Sequence, residues 1–389
     1  MRASYLHPRL AHFGTTIFAE MSQLANATGS INLGQGFPDT DGPDLVKQAA
    51  IDAIASGRGN QYPPGPGIPE LRRAIADHQR AYYGVELDPD TQVLVTCGAT
   101  EAIAATLLSL LGPGDECILL EPFYDSYPAA VAMAGATVVP VTLHPPTFQP
   151  DIDAIRRAVT ERTRVIVINS PHNPTGTVFT DAALAGIAAI AIDHDLVVLS
   201  DEAYEHLTFD GVRHGLISRL PGMTDRTVTI GSAGKSLSFT GWKVGWATGS
   251  ASLISAVRTS KQFLTYVSSG PFQYAVASGL NKLGPDYFDG LAAGLASKRD
   301  RLVGGLRSLG LEVFVPSGTY FVCADIRALT TDDGLTFCRA LPHRCGVVAI
   351  PTSVFYATPG AGDTIIRFAF CKRDEVIDDA VARLATLNR

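Results

Sequence analysis

The sequence predicts an α/β fold, a large domain with a mostly parallel sheet covered by helices plus a smaller α/β domain. Three observations carry this. Short apolar runs recur between residues 92 and 231, separated by longer Ala/Leu-rich segments. Those runs lack polar–apolar alternation, as expected of strands covered on both faces. After about residue 285 the texture changes to one long helical segment, several short strand-like runs and a terminal helix.

Taken in order, residues 1–45 contain the Gly/Pro-rich stretch "NLGQGFPDTDGPD" and read as an N-terminal arm and part of the small domain. Residues 46–285 form the large domain, with strands expected at "QVLVTC" (92–97), "ECILL" (116–120), "RVIVIN" (164–169), "LVVLS" (196–200) and "TVTIG" (227–231). The helix expected over 180–193 starts with Thr and Asp, which suit a helix N-terminus. Residues 286–389 form the small C-terminal domain, with a helix over 290–309, strands in "LEVFV", "YFVCAD", "GVVAI" and "IIRFAF", and a last helix near 374–387.

Composition narrows the function. The chain has 389 residues, 46% of them apolar and 18% charged, enough for a sizeable core without disulfide or metal staples. A net charge of −7 with no dense Lys/Arg block argues against nucleic acid or an acidic membrane as partner. The six cysteines form no CxxC pair, so neither a metal site nor a disulfide framework is expected. The first residues lack a secretory apolar core, and the longest apolar stretch, 182–192, is too short to span a bilayer. The expectation is a cytoplasmic protein.

Two motifs are near misses. "GSAGKS" resembles a phosphate-binding NTPase loop, but that loop needs Gly at 229, where Thr229 stands. "VLVTCGATEA" resembles the entry to a dinucleotide site but lacks G-x-G-x-x-G. It still offers helix N-terminal amides, which suit one phosphate.

What remains is a set of residues just past strand ends, where open α/β sheets place ligands. Asp201 in "SDEAY" ends an apolar run, and Tyr204 follows three residues later. Asn173 lies in "NSPHNPTG", and Lys235 follows the run at 227–231. Each alone is ordinary: a cap, a turn, a loop lysine. Their order, with "GATEA", "EPFYDSY", "GSAGKSLSFTGWKVGW" and "IIRFAF", resembles the class I/II, fold type I aminotransferases, which use pyridoxal phosphate. The resemblance runs from about residue 15 to the C-terminus. "NLGQGFPD", "NQYPPGPG" and "TGWKVGW" are most similar to the kynurenine/glutamine transaminase branch. "GTYFVCAD" and "RFAFCKRD" are closer still to actinobacterial N-succinyldiaminopimelate aminotransferases.

The resemblance implies roles. Lys235 carries the cofactor as a Schiff base and then moves the substrate proton. Asp201 faces the pyridine nitrogen, Tyr204 and Asn173 the ring oxygen, and Tyr124 the ring face. Ala99, Thr100, Ser232 and Lys243 hold the phosphate, joined by Tyr62 from a neighbouring subunit, which makes a homodimer the expected assembly. Arg367 grips the substrate α-carboxylate, helped by Gly36 and Asn173. Phe18, and Tyr266 of the other subunit, line the side-chain pocket. Thr100 stands where kynurenine-type relatives can carry a bulky aromatic, which counts against an aromatic donor. The implied reaction is ping-pong transfer between an L-amino acid and 2-oxoglutarate, with N-succinyl-LL-diaminopimelate as donor. The alternatives are a kynurenine/glutamine or aromatic/methionine transaminase, with cysteine-conjugate β-lyase activity, or a lyase on the same fold.

Overall fold

The structure, a computed structural model, describes residues 5–11 and 13–388. Seven strands form the large sheet: β1 (Val93–Thr96), β2 (Glu116–Glu121), β3 (Thr137–Thr142), β4 (Thr163–Asn169), β5 (Val197–Asp201), β6 (Thr227–Ser232) and β7 (Gly245–Gly249). Their spatial order is β1-β7-β6-β5-β4-β2-β3. All neighbours are parallel except β7, which runs antiparallel to both β1 and β6. Strands β2, β4, β5 and β6 are almost wholly buried, which explains their unbroken Val/Ile/Leu composition.

Two strands escaped the sequence reading. β3 is the exposed edge and holds Pro140, a residue tolerated at an edge because no further strand needs its missing N–H. β7 is short and begins and ends in glycine, so it carries little strand signal.

The N-terminal arm holds more structure than expected. Helix α1 (Ile17–Thr28) starts at Thr16, whose hydroxyl accepts from the Ala19 amide, and stops at left-handed Gly29. Its cap signals were present, but only Met21 and Ala25 are fully buried, too few for a clear helical period. Ile31–Asn32 then pairs with Val347–Val348. The run "GVVAI", expected as one strand, is therefore split. Val347–Val348 joins the N-terminal segment, while β10 (Ile350–Pro351) joins a second sheet.

That second sheet has four antiparallel strands in the order β10-β11-β9-β8, where β8 is Glu312–Phe314, β9 Phe321–Asp325 and β11 Ile365–Ala369. The long helix begins earlier than expected, at Pro285, and runs to Ser308. Proline is well placed in its first turn, where the missing N–H costs nothing. Apolar side chains from α1, this helix and the small sheet pack into one core that reaches Ala203 and Tyr204 of the large-sheet side, while Phe314, Cys323 and Ile365 of the same sheet pack with large-sheet residues. Tyr204 and Asp201 thus lie where the two sheets meet, which is where the main cavity opens.

Candidate active site

Three parallel strands deliver side chains to one place. β5 ends on Asp201, β4 ends four residues before Asn173, and β6 ends on Ser232 with Lys235 in the single helical turn that follows. These C-terminal ends border a cavity of about 310 Å³. Lys235, Asp201, Tyr204, Asn173 and Ser232 line it, as do Ala99, Thr100, Tyr124 and Lys243. The four-stranded sheet contributes Arg367, and the N-terminal segment contributes Phe18 and Gly36.

Asp201 is buried and accepts hydrogen bonds from the Tyr127 hydroxyl (2.6 Å) and the Ala203 amide (3.1 Å). Burial raises its pKa, with these bonds opposing. A buried acid in this state gains most from a cationic partner. The amine of Lys235 lies 2.7 Å from the Tyr320 hydroxyl and 3.4 Å from the Gly36 carbonyl. Burial brings its pKa down to about 8, the cations Lys243 and Arg367 push the same way, and Asp201 opposes. An amine near that value is a usable nucleophile and base at physiological pH.

An anion cradle lies opposite. Helix α2 (Gly98–Leu110) begins at the cavity wall with no side-chain cap, so its first amides are free for a ligand. A Cβ on Gly98 would stand 3.1 Å from the Lys243 ammonium, which puts that charge directly over the helix N-terminus. Gly245 must lack a side chain, because a Cβ there would come within 2.7 Å of the Ala99 nitrogen. Thr100, in the first turn of α2, and Tyr124 both line the cavity, so the cradle and the aromatic wall border the same space.

Arg367 is buried on β11, with its guanidinium bound to Asn173 Oδ1 (2.9 Å) and the Gly34 carbonyl (2.8 Å). Phe321 stacks on it at 4.0 Å and Phe18 stands at 5.2 Å. Its Nε is buried without a partner, an orphan donor that an incoming carboxylate would satisfy.

Two predicted residues lie elsewhere. Tyr62 is 80% exposed, Tyr266 is 54% exposed, and their rings meet at 5.5 Å away from the cavity lining of the same chain. The sequence reading also missed residues. Tyr127 binds Asp201; its spacing of three from Tyr124 at a helix start was the available signal. Asn169 donates to the Asp201 carbonyl (2.9 Å) and accepts from the Asn173 amide (2.8 Å), and so sets both neighbours. Tyr320 and Phe321, at the head of a buried strand, read only as core.

A different cluster is better read as structural. His78, Glu205 and His206 place possible metal-ligand atoms within 4.8 Å of one another. The two Nε2 atoms are 2.8 Å apart, a hydrogen-bond distance. Two nitrogens on one tetrahedral zinc would be about 3.3 Å apart. His78, buried, and His206, half-buried, therefore form a hydrogen-bonded imidazole pair.

The model of the aminotransferase class I and II family matches residues 28–384. The chain belongs to that family. Among solved structures, the N-succinyldiaminopimelate aminotransferase of Mycobacterium tuberculosis shares 54% identity at a TM-score of 0.96, over 98% of this chain and 100% of that one. Methionine aminotransferase of Escherichia coli is 39% identical over 97% of each chain. Kynurenine–oxoglutarate transaminase of Dictyostelium discoideum is 36% identical over 97% of this chain and 95% of its own. The protein is thus a fold type I, pyridoxal-phosphate-dependent aminotransferase. Its cavity fits that group: an anion cradle, an aromatic wall, a buried acid and a depressed-pKa lysine converge on one space. No helix among the described residues is long and apolar enough to cross a membrane.

Proposed function

We propose that this aminotransferase takes the amino group of N-succinyl-LL-diaminopimelate and passes it to 2-oxoglutarate, as a cytoplasmic homodimer. The observation that carries the substrate is the 54% identity to an N-succinyldiaminopimelate aminotransferase along nearly the whole of both chains. Thr100, small beside the Tyr124 wall, supports a donor without a bulky aromatic group there. Six free cysteines suit a reducing compartment.

In this reading the α2 amides, Thr100, Ser232 and Lys243 would hold the cofactor phosphate, and Tyr124 would pack against the ring. Asp201, fixed by Tyr127, would pair with the ring nitrogen, while Tyr204 and Asn173 would hydrogen-bond the ring oxygen. When bound, the cofactor supplies an electron sink for the bond broken at the substrate α-carbon. Arg367 binds the α-carboxylate of both amino acid and oxo acid, so one site serves both half-reactions. Lys235 would hold the cofactor through its amine and, once free, would move the substrate α-proton. Phe18 closes over Arg367 and keeps water out. Tyr62 and Tyr266 reach the other subunit's cavity; their joint exposure beside Phe263, 82% exposed, suits a subunit interface.

A kynurenine or methionine transaminase is the second reading, favoured by the 39% and 36% relatives. A panel of amino donors, followed by loss of the visible absorbance of the lysine-bound cofactor, tests the choice. Fast conversion of the succinylated diamine is expected. Fast conversion of kynurenine, glutamine or methionine, with none of the succinylated diamine, would overturn it.

A further inference from the structure

The Lys235 amine has two partners here, and both lead to one residue. Its Nζ donates to the Tyr320 hydroxyl oxygen (2.7 Å) and more weakly to the Gly36 carbonyl (3.4 Å). Tyr320 in turn donates its own proton to that same carbonyl (2.6 Å). The phenol is buried, braced edge-on by Tyr204 at 5.3 Å and by Phe321 at 4.8 Å. Burial raises its pKa well above the ordinary value, so it stays protonated. Lys235 also borders two cavities, the main one and a second of about 160 Å³ bounded by Thr40, Lys298, Tyr320 and Cys371. Lys235 therefore forms part of the wall of both.

We infer that Tyr320 is a positioning residue that holds the free Lys235 amine while the substrate occupies the cofactor. The inference rests on Lys235 being the reacting lysine. With the Tyr320 proton committed to Gly36, the phenol oxygen can only accept, so it takes an N–H from the lysine. The Gly36 carbonyl is only 2.6 Å from that phenol oxygen and 3.4 Å from the amine, so it lies in nearly the same direction and one N–H serves the pair. The second N–H and the lone pair then stand at about tetrahedral angles to that bond, so the lone pair is turned away from the phenol. There it can take the proton from the substrate α-carbon: that C–H bond breaks, an N–H bond forms, and the electron pair stays with the carbon skeleton. Giving up that proton again leaves the amine neutral, as it began.

Tyr320→Phe tests this, because it removes one hydroxyl and keeps the ring that packs on Tyr204 and Phe321. Two readouts are needed. In cofactor-free protein, the pH dependence of Lys235 modification by trinitrobenzenesulfonate, followed by peptide mapping, reports its pKa. An ammonium that loses a hydrogen-bond acceptor is easier to deprotonate, so a fall of ~1 unit is expected. In the holoenzyme, kcat should fall at least ~10-fold with both KM values within ~2-fold, the acid limb of kcat should move down, and the isotope effect on an α-deuterated donor should rise. A packing role would change melting temperature or cofactor retention and leave the limb in place. Lys235→Ala is the control. If it retains turnover, the assignment of the reacting lysine falls, and this inference with it. If it is inactive while Tyr320→Phe keeps wild-type kcat, pH limb and lysine pKa, the inference alone is refuted.

Discussion

Replacing Arg367 by lysine tests the carboxylate grip most directly. In the structure the guanidinium already gives one bond each to Asn173 and Gly34, and its buried Nε waits unpaired. A carboxylate arriving in the cavity would meet a fork; a lysine offers a single point charge in its place. Losing one charge-assisted hydrogen bond in a desolvated site costs ~1.5–3 kcal/mol. With a factor of ten for every ~1.4 kcal/mol, kcat/KM should fall roughly 10- to 150-fold. Because the same group would bind both amino acid and oxo acid, the loss should appear in both half-reactions. Stopped-flow spectra of each half-reaction separate them. An amine that lacks the α-carboxylate is the reference: its slow reaction should hardly change. An equal loss with that amine, or a loss confined to one half-reaction, would refute the reasoning.

Other consequences can be measured as simply. Gly36→Ala would place a Cβ 2.4 Å from the Phe321 ring, which stacks on Arg367; the ring must move, and a fall in stability of ~1–3 kcal/mol with a larger loss of kcat/KM is expected from urea unfolding and steady-state kinetics. Mixing Lys235→Ala chains with Tyr62→Ala chains should restore activity, toward about a quarter of wild type under random pairing, since one hybrid site is intact; activity no higher than the mean of the parents would exclude a shared site. Burial holds the pKa of His78 down to about 4, so below its usual 6.5 the unfolded chain takes up a proton that the folded chain does not, and stability is lost as pH falls from 6.5 toward 4. His78→Gln should remove that loss, up to ~1.4 kcal/mol per pH unit by urea unfolding, while Glu205, raised to about 7 by burial, acts oppositely in both proteins; parallel curves would count against it.

The parts of the fold legible in the sequence were those that burial makes uniform. Strands β2, β4, β5 and β6 are covered on both faces, so their apolar runs needed no alternation to be seen. β3 lies at an edge with Pro140 inside it, and β7 is bounded by glycines, so neither carried the pattern. Helix α1 had a cap at each end but too narrow a buried face. The division of "GVVAI" between two partners was not readable, because pairing with Ile31–Asn32 is a contact across more than three hundred residues of chain.

The site divides along the same physical line. Asp201, Asn173 and Lys235 drew notice in the sequence because each lies at or just past the end of a parallel strand, and topology sends those ends to one edge; the family resemblance joined them to Ser232. Tyr127, Asn169 and Tyr320 could not, because nothing in an apolar neighbourhood says which polar tip will meet which partner. Tyr127 is a core aromatic until folding brings its hydroxyl 2.6 Å from Asp201. Tyr320 immediately precedes a buried strand and meets Lys235 only because the small sheet packs against the large one. These second partners are what turn chemically ordinary groups into tuned ones. An unbraced Asp201 would have no fixed direction toward a ring nitrogen, and an untethered Lys235 could swing toward either of the two cavities it borders. Tuning of this kind depends on the closeness of the two sheets, so loosening their contact should degrade proton transfer before it degrades binding of a phosphate at the α2 N-terminus, which stands with Lys243 on the large-sheet side.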